Sequence, residues 1–125
     1  MIEAKNVNHI GIAVHSIDDH RPFYENILGA SFEDTETVED QGVKVGFFKL
    51  GDVRLELLEP ASDESAVAKF LEKKGEGLHH VAYTVDNLEQ RLETMKAEGY
   101  RLIDEQPRRG AHNMKIAFLH PKTSR

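Results

Sequence analysis

The chain is predicted to adopt an α+β fold, two βαβββ modules forming a curved mixed sheet, with the last strand missing from this chain. Three observations carry the prediction. A segment near the N-terminus recurs at a fixed offset, each copy opens with strand alternation and then changes to helical period, and strand-like runs follow each helix. Asn8-His9-Ile10-Gly11-Ile12-Ala13-Val14 followed by Ser16-Ile17-Asp18-Asp19 matches His79-His80-Val81-Ala82-Tyr83-Thr84-Val85 followed by Asp86-Asn87-Leu88-Glu89, with corresponding positions 71 apart.

In the first copy the strand gives way to a helix. Pro22 is tolerable only near a helix start, so Asp18 or Asp19 is the expected cap; Phe23, Ile27 and Leu28 form the buried stripe and Gly29 ends it. Strands are expected at Ser31 to Phe32, Val43 to Leu50 and Arg54 to Leu58. Asp63 then caps a short connector helix through Ala66, Val67, Phe70 and Leu71, which stops at Gly75. The second helix of the repeat opens on a capping box of Asp86 and Glu89, buries Leu88, Leu92 and Met95, and stops at Gly99. Strands at Arg101 to Ile103 and Met114 to Leu119 follow. The domain therefore divides into module one at 6–60, a connector helix at 61–76 and module two at 77–125. The counterpart of the Arg54 strand would begin near residue 125, where the sequence stops, so module two is expected to be C-terminally incomplete.

The composition narrows the function classes. A chain of 125 residues, 39% hydrophobic, is the size of one domain that can bury a core without cross-links. It has no cysteine, no apolar run of about eighteen residues and no basic-then-apolar leader, so a cytoplasmic protein is expected. The net charge of −6 excludes a nucleic-acid partner, which needs a coherent basic face. From Arg101 onward six cations face two acids, a local +4 that could meet an anion, and the first hundred residues carry −10.

Strand alternation puts His9, Gly11 and Ala13 on one face and Ile10, Ile12 and Val14 on the other; likewise His80, Ala82 and Thr84 oppose Val81, Tyr83 and Val85. The bulky faces should pack on helices. The histidine faces are otherwise lined by small residues, which leaves room for a ligand with an imidazole at its edge. One histidine in an apolar strand is usually a hydrogen-bonded core residue, but two at equivalent positions are not explained that way. Glu56, set among Leu55, Leu57 and Leu58, needs a cationic partner if buried. Two imidazoles and a carboxylate suit a divalent metal such as Zn, Ni, Co, Mn or Fe, and His9, Glu56 and His80 are the expected ligands. His79 should face away from His80, and His15, His20, His112 and His120 read as surface or loop histidines.

These residues resemble the vicinal oxygen chelate superfamily of paired βαβββ modules (glyoxalase, bleomycin resistance, dioxygenase) and, within it, the methylmalonyl-CoA epimerase family. The segments that carry the resemblance are Asn8 to Val14, Glu56-Leu57-Leu58-Glu59-Pro60, Ser65 to Leu71, Gly77-Leu78-His79-His80-Val81-Ala82-Tyr83, Arg109-Gly110-Ala111-His112 and Phe118-Leu119-His120-Pro121-Lys122. It implies a divalent ion (Co, Zn, Ni, Mn or Mg) on His9, Glu56 and His80, with a fourth ligand, a Glu that is also a catalytic base, lying beyond Arg125. A second base implied for the strand aligned with Lys44-Val45-Gly46 has no acid here. The implied activity is metal-dependent epimerisation of methylmalonyl-CoA by proton abstraction and enolate stabilisation. The same modules also serve glyoxalase I type lyases and metal-free drug-binding dimers. Arg109, Gly110, Ala111, His112 and Lys115 are candidates for holding the substrate carboxylate or the CoA phosphates. A homodimer is expected, with no nucleic-acid or membrane partner.

Overall fold

The computed structural model describes residues 4–121. The chain divides into two compact units, Asn6–Thr84 and the residues on either side of it. In the larger unit the elements run β1 (Asn6–Ala13), α1 (Ile17–Pro22) continued by a π turn (Phe23–Ile27), β2 (Ser31–Val38), β3 (Val43–Leu50), β4 (Val53–Pro60), α2 (Ala66–Lys74) and β5 (Gly77–Thr84). The expected βαβββ order of the first module is therefore present. One mixed sheet in the order β2-β3-β4-β1-β5 contains all five strands. β1 pairs in parallel with β4 and antiparallel with β5, whereas β2, β3 and β4 form an antiparallel meander.

Alternation sorts Ile10 and Ile12 of β1 as expected. Ile10 and Ile12 pack on a core of Val14, Ile17, Ala30, Phe48, Leu55 and Leu57, joined by Tyr24 and Phe32. Phe48 is fully buried, with the Tyr24 and Phe32 rings 5.7 and 5.2 Å away; burying each such side chain contributes about 2–3 kcal/mol. A Cβ on Gly46 would stand 2.9 Å from Ile17 Cγ2, so glycine is what lets α1 approach β3. α2 lies against β4 and β1 and buries Val67 and Leu71.

Several local expectations are corrected. Ser16, not Asp18 or Asp19, caps α1, its Oγ accepting the Asp19 N–H at 3.3 Å. Phe23, Ile27 and Leu28 are exposed (50%, 71% and 43%) and not a buried stripe. Pro22 has no N–H to continue the α ladder, so the helix widens into a π turn that carries Tyr24 inward in place of Phe23. Ser65, not Asp63, caps α2, because the helix starts at Ala66 and Asp63 stands two residues outside its reach. β2 runs to Val38, well past Phe32. Val81 and Tyr83 on β5 are 40% and 60% exposed, not packed beneath a helix.

The second unit holds α3 (Leu88–Ala97), β6 (Arg108–Arg109) and β7 (Lys115–Ile116). Leu92 is buried, with Leu88 and Met95 half-buried beside it on the expected stripe. The expected Asp86 capping box is absent. Asn87 takes a left-handed conformation (φ +50°) that shifts the helix start, and Asp86 and Glu89 pair instead with Lys5 and Lys115 at 3.1 and 2.8 Å. The expected strands at 101–103 and 114–119 shrink to a Leu102–Leu119 bridge and the two-residue pair β6–β7. The left-handed backbone of His112 and Asn113 interrupts any longer ladder there. The strand expected to begin near residue 125 lies outside the described residues.

Candidate metal centre

β1 is the strand that gathers the site, because it is paired on both sides. His9 stands opposite Arg54 of β4 and Ala82 of β5, and Gly11 stands opposite Glu56 and His80. Each histidine of the repeat thus faces the small residue two positions beyond the other. Gly11 is where this matters most: a Cβ there would fall 2.4 Å from His80 Cε1, so the imidazole occupies the space a side chain would fill.

The two rings meet edge to face, with His9 Nε2 and His80 Nε2 3.1 Å apart. Adjacent nitrogen ligands on a divalent ion, with metal–nitrogen distances of about 2.0–2.1 Å, stand roughly 2.9–3.4 Å from each other. His9 Nδ1 donates to Asn8 Oδ1 at 2.8 Å and lies 3.2 Å from Glu56 Oε2. His80 Nδ1 is 2.9 Å from His79 Nδ1, and the His79 ring rests edge-on against Phe70 of α2, 4.9 Å between centroids. His79 therefore does not face away from His80. Glu56 approaches the far nitrogen of His9, and among the described residues no three His, Asp or Glu side chains converge on one point.

Electrostatics favour a cation at this place. Burial holds the His9 imidazole down to about 4, helped by the Arg54 charge, and burial holds His80 to about 4, helped by the charges of His9 and His79. Both rings are thus neutral near pH 7 with lone pairs to offer, so the His9–Glu56 contact is not an ion pair. Burial pushes Glu56 up to about 7; Arg54 opposes that shift and Glu36 adds to it. A carboxylate only 7% exposed and so weakly compensated is a group that a metal ion would relieve. The donor chemistry of His9, His80 and Glu56 fits a divalent cation.

Three site residues were not read as such in the sequence although signals were present. Arg54 precedes Glu56 by two positions and so shares its face; its Nε donates to Glu33 Oε1 at 3.0 Å. Asn8 and His79 stand immediately before each candidate ligand, where a second polar residue breaks the alternation. A cleft of about 230 Å³ lies beside Asn8, lined by Lys49, Asp52, Val53 and Arg54.

The anion-binding candidates lie in the second unit. Arg109 (β6) donates to Asn113 Oδ1, Gly110 is buried against Ile116, and His112 and Lys115 are exposed, the latter paired with Glu89 at 2.8 Å. Of the remaining histidines, His15 is exposed, with its backbone N–H on Glu76 at 2.8 Å; His20 pairs with the same carboxylate at 2.8 Å, and His120 is half-buried.

The model of the Glyoxalase/Bleomycin resistance protein/Dioxygenase superfamily matches residues 8–118. The chain is 52% identical over 116 residues to the uncharacterized protein YqjC of Bacillus subtilis (strain 168), covering 93% of this chain and 83% of that one. It is 38% identical over 116 residues to the mitochondrial methylmalonyl-CoA epimerase of Bos taurus, covering 92% of this chain and 66%, about two thirds, of the bovine protein. A solved structure of methylmalonyl-CoA epimerase in complex with methylmalonyl-CoA and NH4+ superposes with a TM-score of 0.91 at 37% identity, covering 98% of this chain and 89% of that one.

Proposed function

We propose, from the premise that this chain belongs to the Glyoxalase/Bleomycin resistance protein/Dioxygenase superfamily, that it is a metal-dependent epimerase acting on methylmalonyl-CoA. The observation that carries the reading is the pair of neutral, half-buried imidazoles whose Nε2 atoms face each other at 3.1 Å, with the desolvated Glu56 carboxylate beside His9. The resemblance to methylmalonyl-CoA epimerases across nearly the whole chain supports the substrate.

The carbon to be inverted lies between a thioester and a carboxylate, and near neutral pH its proton must pass to a base, the role that the family resemblance gives to a Glu outside the described residues. A divalent cation held by His9, Glu56 and His80 would supply Lewis-acid stabilisation of the charge that develops on the thioester oxygen. His9 and His80 hold their lone pairs for that cation because burial keeps protons off them. One carboxylate among three ligands leaves a net positive site, which attracts an anionic substrate and the charge it acquires. Arg54 on the same face adds a fixed cation. The loop from Arg109 through Gly110 and Ala111 to His112, with Lys115, is the proposed holder of the substrate carboxylate or the CoA phosphates. Arg109 donates to the neutral amide of Asn113, and a guanidinium has further N–H donors to offer an anion.

The test is loss of the C2 proton of methylmalonyl-CoA in D2O, followed by mass spectrometry with and without a chelator. Exchange that stops on chelation and returns with Co2+ is expected. Turnover only of the methylglyoxal–glutathione adduct, the glyoxalase I reaction, would end the reading. No helix among the described residues is long and apolar enough to cross a membrane, and a cytoplasmic homodimer is the proposed form. β5 is an outer strand of its sheet with Leu78 and Tyr83 exposed, which supports pairing between copies, and light scattering measures it.

A further inference from the structure

β1 and β5 do not pair in a single register. Val7 stands opposite Tyr83 but His9 opposite Ala82, which leaves Asn8 as an extra residue on β1; Gly11 stands opposite His80 but Ile12 opposite Leu78, which leaves His79 as an extra residue on β5. The two bulges are 71 positions apart, the same offset as the repeat, and the second cancels the register shift of the first. Between them lies a block of three pairs containing both candidate ligands. In a regular strand Asn8 would point away from His9, and His79 away from His80. A bulge turns the extra residue toward its neighbour's side, and in both cases it delivers a side chain to the same atom. Asn8 Oδ1 lies 2.8 Å from His9 Nδ1, and His79 Nδ1 lies 2.9 Å from His80 Nδ1.

We propose that Asn8 and His79 are paired positioning residues, each a β-bulge residue whose side chain holds Nδ1 of the following histidine and so aims both Nε2 atoms at one point. A neutral imidazole carries one proton, so engaging Nδ1 as the donor leaves Nε2 bare and fixes the angle of the ring. On the β1 side the acceptor is an amide oxygen. On the β5 side the partner is Nδ1 of a second imidazole, which would accept when a metal ion takes the His80 Nε2 lone pair, and which is itself steadied by Phe70 of α2. The inference rests on reading His9 and His80 as ligands of one cation, and adds to that reading which residues set their geometry.

The experiment titrates Co2+ alone into the purified protein by calorimetry and records the ring 15N signals of histidine in the metal-free form, which distinguish Nδ1–H from Nε2–H. Asn8→Leu and His79→Leu are each expected to weaken Co2+ binding about 10- to 100-fold, the usual effect of losing an outer hydrogen-bond partner. Asn8→Asp retains the acceptor oxygen and His79→Asn places an amide where Nδ1 stood, so both should bind like the wild type. His79→Gln, whose amide reaches too far, should not, and this pair keeps the test open if a leucine variant fails to fold. Unchanged affinity in Asn8→Leu and His79→Leu, or in His79→Gln when the leucine variants do not fold, overturns the proposal. If the wild type takes up no Co2+, the metal reading itself fails and the ring signals decide. A change confined to His9 in Asn8→Leu and to His80 in His79→Leu or His79→Gln upholds the positioning role, and unchanged signals overturn it.

Discussion

His9 and His80 stand on strands of matching pattern, yet β1 and β5 meet very different surroundings. β1 is central, paired on one side with β4 and on the other with β5, and its Ile10 and Ile12 enter the core. β5 is the outermost strand of the same sheet, and its Val81 and Tyr83 remain exposed. His9 has a carboxylate at its Nδ1 as well as an amide, and His80 has the His79 imidazole at its Nδ1. What the two strands share is confined to the block that sets the imidazoles: histidine, a preceding polar bulge residue, and a small residue two positions on. The repeat preserves the chemistry of the site, and the packing of the opposite face follows from each strand's place in the sheet.

The strongest way to break this equivalence is to remove either ring. His9→Ala and His80→Ala should each lower Co2+ affinity by more than about 100-fold, beyond the range seen for outer partners, and by similar amounts if the two are equivalent ligands; calorimetry measures both. An unequal loss of more than about tenfold, or 1.4 kcal/mol, would show that the halves are not interchangeable.

A smaller effect separates the two small residues. Gly11→Ala drives a methyl into the His80 ring and should cost about 1–3 kcal/mol in chemical denaturation while weakening Co2+ binding. Ala82→Gly, at the position 71 residues on, should cost only about 0.5–1 kcal/mol, the price of glycine in a strand. Equal costs would mean that His80 does not sit on Gly11 as described.

The helices that follow the two strands give the mildest contrast. Ser16→Ala removes the Oγ that accepts the Asp19 N–H and should cost about 1 kcal/mol. Asn87 makes no side-chain cap, and its left-handed backbone suits glycine, so Asn87→Gly should change stability by less than about 0.5 kcal/mol. Thermal melts of the two variants measure the difference.

The offset of 71 made the first module, the two histidine strands and the facing of Ile10 and Ile12 legible, because period and repetition survive in sequence. Helix stops were also legible: Gly29, Gly75 and Gly99 all have positive φ. Caps were misread because Asp18, Asp63 and Asp86 are as good in principle as Ser16 and Ser65, and one residue of register decides among them. The exposed stripe of Phe23, Ile27 and Leu28 was misread because a π turn adds one residue to the helical period. The bulges at Asn8 and His79 were missed because strict alternation was assumed where two polar residues in succession had broken it. Glu56 was legible as a buried acid from its apolar neighbours, but not its approach to the far nitrogen of His9, which depends on ring orientation.

The parallel contact of β1 with β4 has a consequence for the order of folding. β3 and β4 are joined by the two-residue turn Gly51-Asp52 and can zip together as a local hairpin. β1 has no local partner: its contacts reach more than forty residues ahead to β4 and about seventy to β5, so their loop-closure entropy must be met late. The first histidine is therefore expected to arrive after the meander is built, and the two facing nitrogens exist together only in the completed sheet. A partly folded chain would present separate imidazoles to the metals of the cell, and only the native state would present them as a pair.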